Sequence, residues 1–144
     1  MIIRKELESE KSAKEIAESL LVEAVSQSLL TGIRIAVSEL EVKLSTYDPK
    51  DSDGMYPESL YNAHQIGLKL LKSAKTVEDF IYGCYETGMW SAGDTLDFLG
   101  LDAGSSFRMD SDYKSYGYED KLKEINGGDL DVWDVQEYLE NMPT

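Results

Sequence analysis

The chain has 144 residues, 42% of them hydrophobic, which is enough apolar matter for one core and too much for a disordered chain. Twenty-eight acids stand against 14 bases, a formal charge of -14. That charge repels bare nucleic acid and anionic membranes and attracts basic partners, although it also serves plain solubility.

Cys84 is the single cysteine and His64 the single histidine. These counts exclude an internal disulfide and any Cys-rich or multi-His metal centre. No apolar run approaches the roughly 18 residues that span a bilayer. The opening Met1–Glu8 turns charged at once, unlike the apolar core of a leader. A reducing, cytoplasmic location is expected.

In chain order, residues 6–45 read as a long helical segment. Ala13, Ile16, Ala17, Leu20, Leu21, Ala24 and Val25 share one face, and the pattern resumes after Gly32 with Ile33, Ala36, Val37, Leu40 and Leu44. This is either one helix or two broken near Thr31 and Gly32. A short strand is the rival over 40–44, because Leu40, Val42 and Leu44 alternate with Glu41 and Lys43. The wider window favours helix. Residues 46–57 form the clearest connection, with Pro57 suited to a first helical position.

Leu60, His64, Gly67, Leu68 and Leu71 make the next buried stripe. Thr76 followed by Asp79 is a helix start, Val77, Phe80, Ile81, Cys84 and Tyr85 follow at helical spacing, and Gly88 is a stop. Ser91 with Asp94 repeats the start, and Gly100 the stop. Residues 103–118 are irregular. Tyr118, Leu122 and Ile125 suggest a short helix ended by Asn126, Gly127 and Gly128. Asp131 with Asp134 opens the last helix, which buries Val132, Val135, Tyr138 and Leu139. The expected fold is all-α, a compact bundle of roughly six to eight helices. It forms one domain over 1–144, with the helical segment 6–45, the connection 46–57 and a helical remainder over 58–142.

His64 lies in an apolar stripe and reads as a packed histidine, and Cys84 as a small core hydrophobe. Asp48, Asp51 and Asp53 before Gly54 resemble a calcium loop, but with Gly54 at the turn the first ligand position falls on Pro49. Around Gly128 the same test leaves Lys123, Ile125 and Gly127 where ligands should stand. Neither stretch is read as a metal site, and no cofactor is expected.

Residues 85–109 look like the start of a helix-turn-helix unit, with Leu99, Gly100 and Leu101 as its aliphatic, turn-glycine, aliphatic core. Leu96 stands where a small residue usually lets the helices approach, and Ser106 where an aliphatic packs. Asp110 and Asp112 offset Arg108 and Lys114, which leaves little charge for phosphates.

Residues 91–144 hold 13 acids against 4 bases. Asp94, Asp97, Asp102, Asp110, Asp112, Glu119 and Asp120 are interleaved there with Tyr113, Tyr116 and Tyr118, and Trp133 follows. Carboxylates steer a cationic partner while aromatics anchor it at low rotamer cost. The plainer reading is a solvated acidic face over a core that holds the aromatics.

The function expected first is therefore non-enzymatic: an acidic inhibitor that occupies a basic, nucleic-acid-binding surface of a partner protein, of anti-defence or immunity type. The partner is a protein, not nucleic acid or membrane. The alternative is a small regulator or antitoxin using a degenerate helix-turn-helix at 85–109, which would need a dimer to gather positive charge. An enzyme with a carboxylate pair is the third class, and no spacing nominates such a pair.

Overall fold

The computed structural model describes residues 27–50, 55–104 and 106–143. The helical spacing read over 6–26 and the aspartates Asp51 and Asp53 lie outside them. The described residues form seven helices and no strand: α1 (residues 27–45), α2 (Glu58–Ser73), α3 (Val77–Thr87), α4 (Ala92–Phe98), α5 (Asp112–Ser115), α6 (Tyr118–Asn126) and α7 (Val132–Glu140). The all-α expectation holds.

Both questions about α1 are settled. Leu40 is fully buried and Val42 is 65% exposed, so the two residues that a strand would place on one face point to opposite environments. The helix also runs unbroken through Gly32. A Cβ there would come within 2.9 Å of the Leu99 side chain and 3.0 Å of the Phe98 carbonyl oxygen. The glycine is thus a packing residue that lets α1 lie on the end of α4, not a helix stop.

The helix starts follow their capping chemistry. The Thr76 hydroxyl accepts from the Asp79 amide at 3.1 Å. Ser91 and Asp94 form a reciprocal capping box, each side chain accepting from the other's backbone amide. The Asp131 carboxylate accepts from the Asp134 amide at 3.2 Å. Pro57 is the cap of α2 rather than its first helical residue, one position earlier than expected. Gly88 and Gly127 adopt left-handed conformations at φ 62° and 80°, where a side chain would be strained, and each closes its helix.

The core gathers Leu40, Leu71, Phe80, Ile81, Leu96, Leu122, Val135 and Leu139, with α3 central. Each such aliphatic or aromatic side chain contributes on the order of 1.5–3 kcal/mol when fully buried. The helices α2 and α3 cross closely because Gly67 faces Gly83. A Cβ on Gly67 would sit 2.3 Å from the Thr87 methyl and 3.2 Å from the Gly83 carbonyl oxygen. The start of α3 is tied to distant parts of the chain. The Val77 amide donates to the Asn126 side chain at 2.9 Å, and the Asp131 amide donates to Glu78 at 2.6 Å.

The helix-turn-helix reading is corrected here. α3 and α4 exist, but residues 99–104 and 106–111 form turns where the second, groove-reading helix should begin. Three contacts hold these turns. The Asp97 carboxylate accepts from the amides of Ala103 at 2.8 Å and Gly104 at 3.0 Å, and the Tyr118 hydroxyl donates to the Asp102 carbonyl at 3.1 Å. Gly93 completes the fit, because the Gly104 carbonyl rests where its Cβ would be, 2.0 Å away.

Candidate protein-docking face

The expected contact residues fall into unequal groups. Asp94, Asp97 and Asp112 are committed to backbone amides of their own chain: Asp94 in the capping box, Asp97 at the 103–104 turn, and Asp112 accepting from Arg108 at 2.8 Å. Asp110 pairs with Arg108 at 3.8 Å, and Glu119 with Lys123 at 3.4 Å. The side chains of Asp102 and Asp120 are exposed.

The aromatic anchors need correction. Tyr113 and Tyr118 are only 1% and 3% exposed and belong to the core, so they cannot meet a partner without opening it. Tyr113 keeps an unpartnered hydroxyl, and burial, followed by the neighbouring Glu119, pushes its pKa up to about 12. Tyrosine's apolar ring and polar tip suit both settings, and the sequence pattern does not say which applies. Tyr116 is exposed and packs edge-on against Tyr118 at 5.6 Å. Asp97, Asp102 and Asp112 are charged neighbours of Tyr118, which they hold above its ordinary pKa after burial and Tyr116. That part of the expected set does converge, although two of its carboxylates are already bonded to backbone.

Trp133 stands apart from that group. It occupies the first turn of α7, placed by the Asp131 cap, and is 73% exposed. α7 packs on α3, and a tier of tyrosines fills the seam. Tyr138 of α7 lies 5.0 Å from Tyr82 and 5.5 Å from Tyr85, both of α3. Carboxylates rim this tier. The Tyr138 hydroxyl is held above its ordinary pKa by burial and then by Asp134, Glu137, Glu86 and Asp131. The nearby Glu86 carboxylate does the same to Tyr82. Asp134 itself is raised by desolvation, then by Asp131 and Glu137, and least by Glu78. The raised pKa of Asp134 shows that like charges crowd it.

Five carboxylates, Glu78, Glu86, Asp131, Asp134 and Glu137, thus lie on α3, on α7 or at its cap; four of them act on Tyr138, while Glu78 and Asp131 are held by the backbone amides of Asp131 and Asp134. The ion pairs between described residues are Glu41–Lys72, Arg108–Asp110 and Glu119–Lys123, and none of them involves these five. Glu78, Tyr82, Tyr85 and Glu86 were not among the expected contacts, because charge was counted along the chain and α3 precedes the acidic third. Their signal was present. Spaced at 78, 82, 85 and 86, they form a polar-aromatic stripe beside the apolar one on α3.

His64 and Cys84 are buried, as their stripes implied. Burial pushes the Cys84 thiol far above its ordinary range. Among the described residues no group of three or more His, Cys, Asp or Glu side chains is placed to hold a metal. No helix among them is long and apolar enough to cross a membrane. The chain matches no protein-family model, no curated protein and no solved structure.

Proposed function

We propose that this protein is a non-enzymatic, acidic binding protein that covers a basic surface of another protein. A surface built to hold nucleic acid is the natural target, because it already selects for arrayed negative charge. An inhibitor of anti-defence type, or an immunity protein against a nuclease, would work in this way. The carboxylates would stand in for phosphates, and the tryptophan would give the complex an anchor.

The observation that carries this reading is Trp133, a large apolar side chain left 73% exposed in the first turn of α7, the helix that also carries Asp134 and Glu137 and is capped by Asp131. Tryptophan is a favoured centre of binding energy in an interface. The carboxylates add steering and select against acidic partners. The proposed face therefore keeps Trp133 from the expected contacts and adds Asp134 and Glu137 of α7 with Tyr82 and Glu86 of α3.

The test is affinity capture from host lysate with the wild-type chain and with a variant carrying Trp133→Ala, Asp134→Asn and Glu137→Gln. All three positions lie outside the buried core. The reading requires a basic protein recovered by the wild type and lost by the variant, with the complex then reconstituted from purified components. A partner retained equally by both chains would refute this face.

A further inference from the structure

The most unusual buried group lies away from the docking face. His64 of α2 is 1% exposed, and its Nδ1 meets the Tyr56 hydroxyl at 2.5 Å. Its Nε2 is buried with no hydrogen-bond partner. Tyr56 is also buried and stands just before the Pro57 cap of α2. Tyr47, at the other end of the connection from α1, stacks on Tyr61 of α2 with centroids 3.9 Å apart and planes 11° apart. Tyr56 meets both rings edge-on, at 5.7 and 6.0 Å. One imidazole therefore anchors an aromatic cluster that gathers both ends of the connection.

The groups facing this imidazole leave it no place for a proton. From α1, the Lys43 ammonium lies 4.9 Å from the Tyr56 ring centroid and acts on His64 as a like charge. From the connection come the hydroxyl of Tyr56 and, behind it, Tyr47. From α2 comes Tyr61, and from α3 the uncharged backbone of Thr87, which favours the proton weakly and forms no hydrogen bond of normal geometry with Nε2. No carboxylate among the described residues acts on it. A neutral ring satisfies the Tyr56 contact with one nitrogen. A protonated ring makes both nitrogens donors, so Tyr56 must turn its own proton away while Nε2–H stays orphaned, and a second cation is buried beside Lys43.

We propose that the Tyr56–His64 pair is a proton-released clasp: the protonated imidazole leaves its buried site for water, breaking the Tyr56 contact, and the first turns of α2 loosen while α3 and α7 remain packed. Burial and Lys43 both depress the His64 pKa, so release comes on the acid side of an ordinary histidine.

The test uses the full chain and two readings. The His64 ring carbons are followed by NMR through a pH titration. Amide hydrogen exchange, corrected for intrinsic rates, is compared at about pH 7.5 and about pH 5. The expected result is a titration midpoint below about 6.5 and a loss of protection of about tenfold or more at Tyr61, Asn62 and Ala63 in acid, with Phe80 and Val135 unchanged. His64→Gln, which cannot titrate in this range, should abolish the acid response. Tyr56→Phe should lower protection already at the higher pH. A midpoint at or above about 6.5, a protection loss shared by α3 and α7, or the same acid response in His64→Gln would each overturn the proposal. If His64→Gln does not fold, the wild-type titration and the Tyr56→Phe comparison still decide.

Discussion

Gly93→Ala offers a test in which the sign of the effect is the answer. In an ordinary helical position this change stabilises by up to about 1 kcal/mol, because alanine has less backbone entropy to lose. Here the new Cβ would lie 2.0 Å from the Gly104 carbonyl oxygen, 3.0 Å from its carbonyl carbon and 3.1 Å from Phe107 Cβ. Relief requires the turn to recede by roughly 1 Å, since carbon and oxygen approach no closer than about 3.3 Å even in weak hydrogen bonds. The turn is not free to recede. Asp97, one helical turn further along α4, holds the amides of Ala103 and Gly104. Overpacking of this kind costs about 1–3 kcal/mol, and each weakened hydrogen bond adds about 1 kcal/mol. After the gain in helix propensity, the net expectation is a loss of about 2 kcal/mol. In urea unfolding followed by circular dichroism, the midpoint should fall by about 1 M at an unchanged slope. An unchanged or higher midpoint would refute the close packing of Gly104 and Phe107 on α4.

Three further outcomes follow from the same contacts. Asp97→Asn should destabilise by about 1 kcal/mol, and its effect should be less than additive with Gly93→Ala, because both act on one turn; full additivity in a urea double-mutant cycle would separate them. Cys84 should resist a thiol-specific disulfide reagent in the native protein and react on unfolding, since its thiol is buried and its pKa raised; rapid native labelling would contradict the core assignment. Folding stability should fall as pH drops below about 6.5 and level off below the depressed His64 pKa, because in that window the unfolded chain takes up the proton first. Above that window both states are neutral at this residue and it contributes no pH dependence. Urea melts of wild type and His64→Gln across the range isolate this term, and identical pH slopes would remove it.

Local chemistry made most of the fold legible. A capping residue and its partner three positions later mark the starts of α3, α4 and α7, and a glycine free to adopt positive φ closes α3 and α6. All of that is decided within one helical turn. What was not legible depends on residues far apart in sequence. Gly32 resembles a helix break until Phe98 and Leu99 are seen against it. The segment after Gly100 resembles the approach to a second helix until Asp97 and Tyr118 are seen bonding to it. The proposed docking face depends on the same kind of distant contact. Counting charge along the chain found the acids near α4 to α6, several of which cap helices or bind turns. It could not find a surface assembled when α3 meets α7.

The claim that most depends on that assembly is partner recognition by the α3–α7 seam, and the most direct measurement is the salt dependence of the purified complex. Titration calorimetry with the recovered partner, at low and at near-physiological salt, should show affinity falling tenfold or more as salt screens the carboxylates, on the order expected when several charges meet a partner. Trp133→Ala should cost a further factor of about 30 in affinity while changing folding stability by less than about 0.5 kcal/mol. Affinity indifferent to salt and to Trp133 would contradict the assignment of this face.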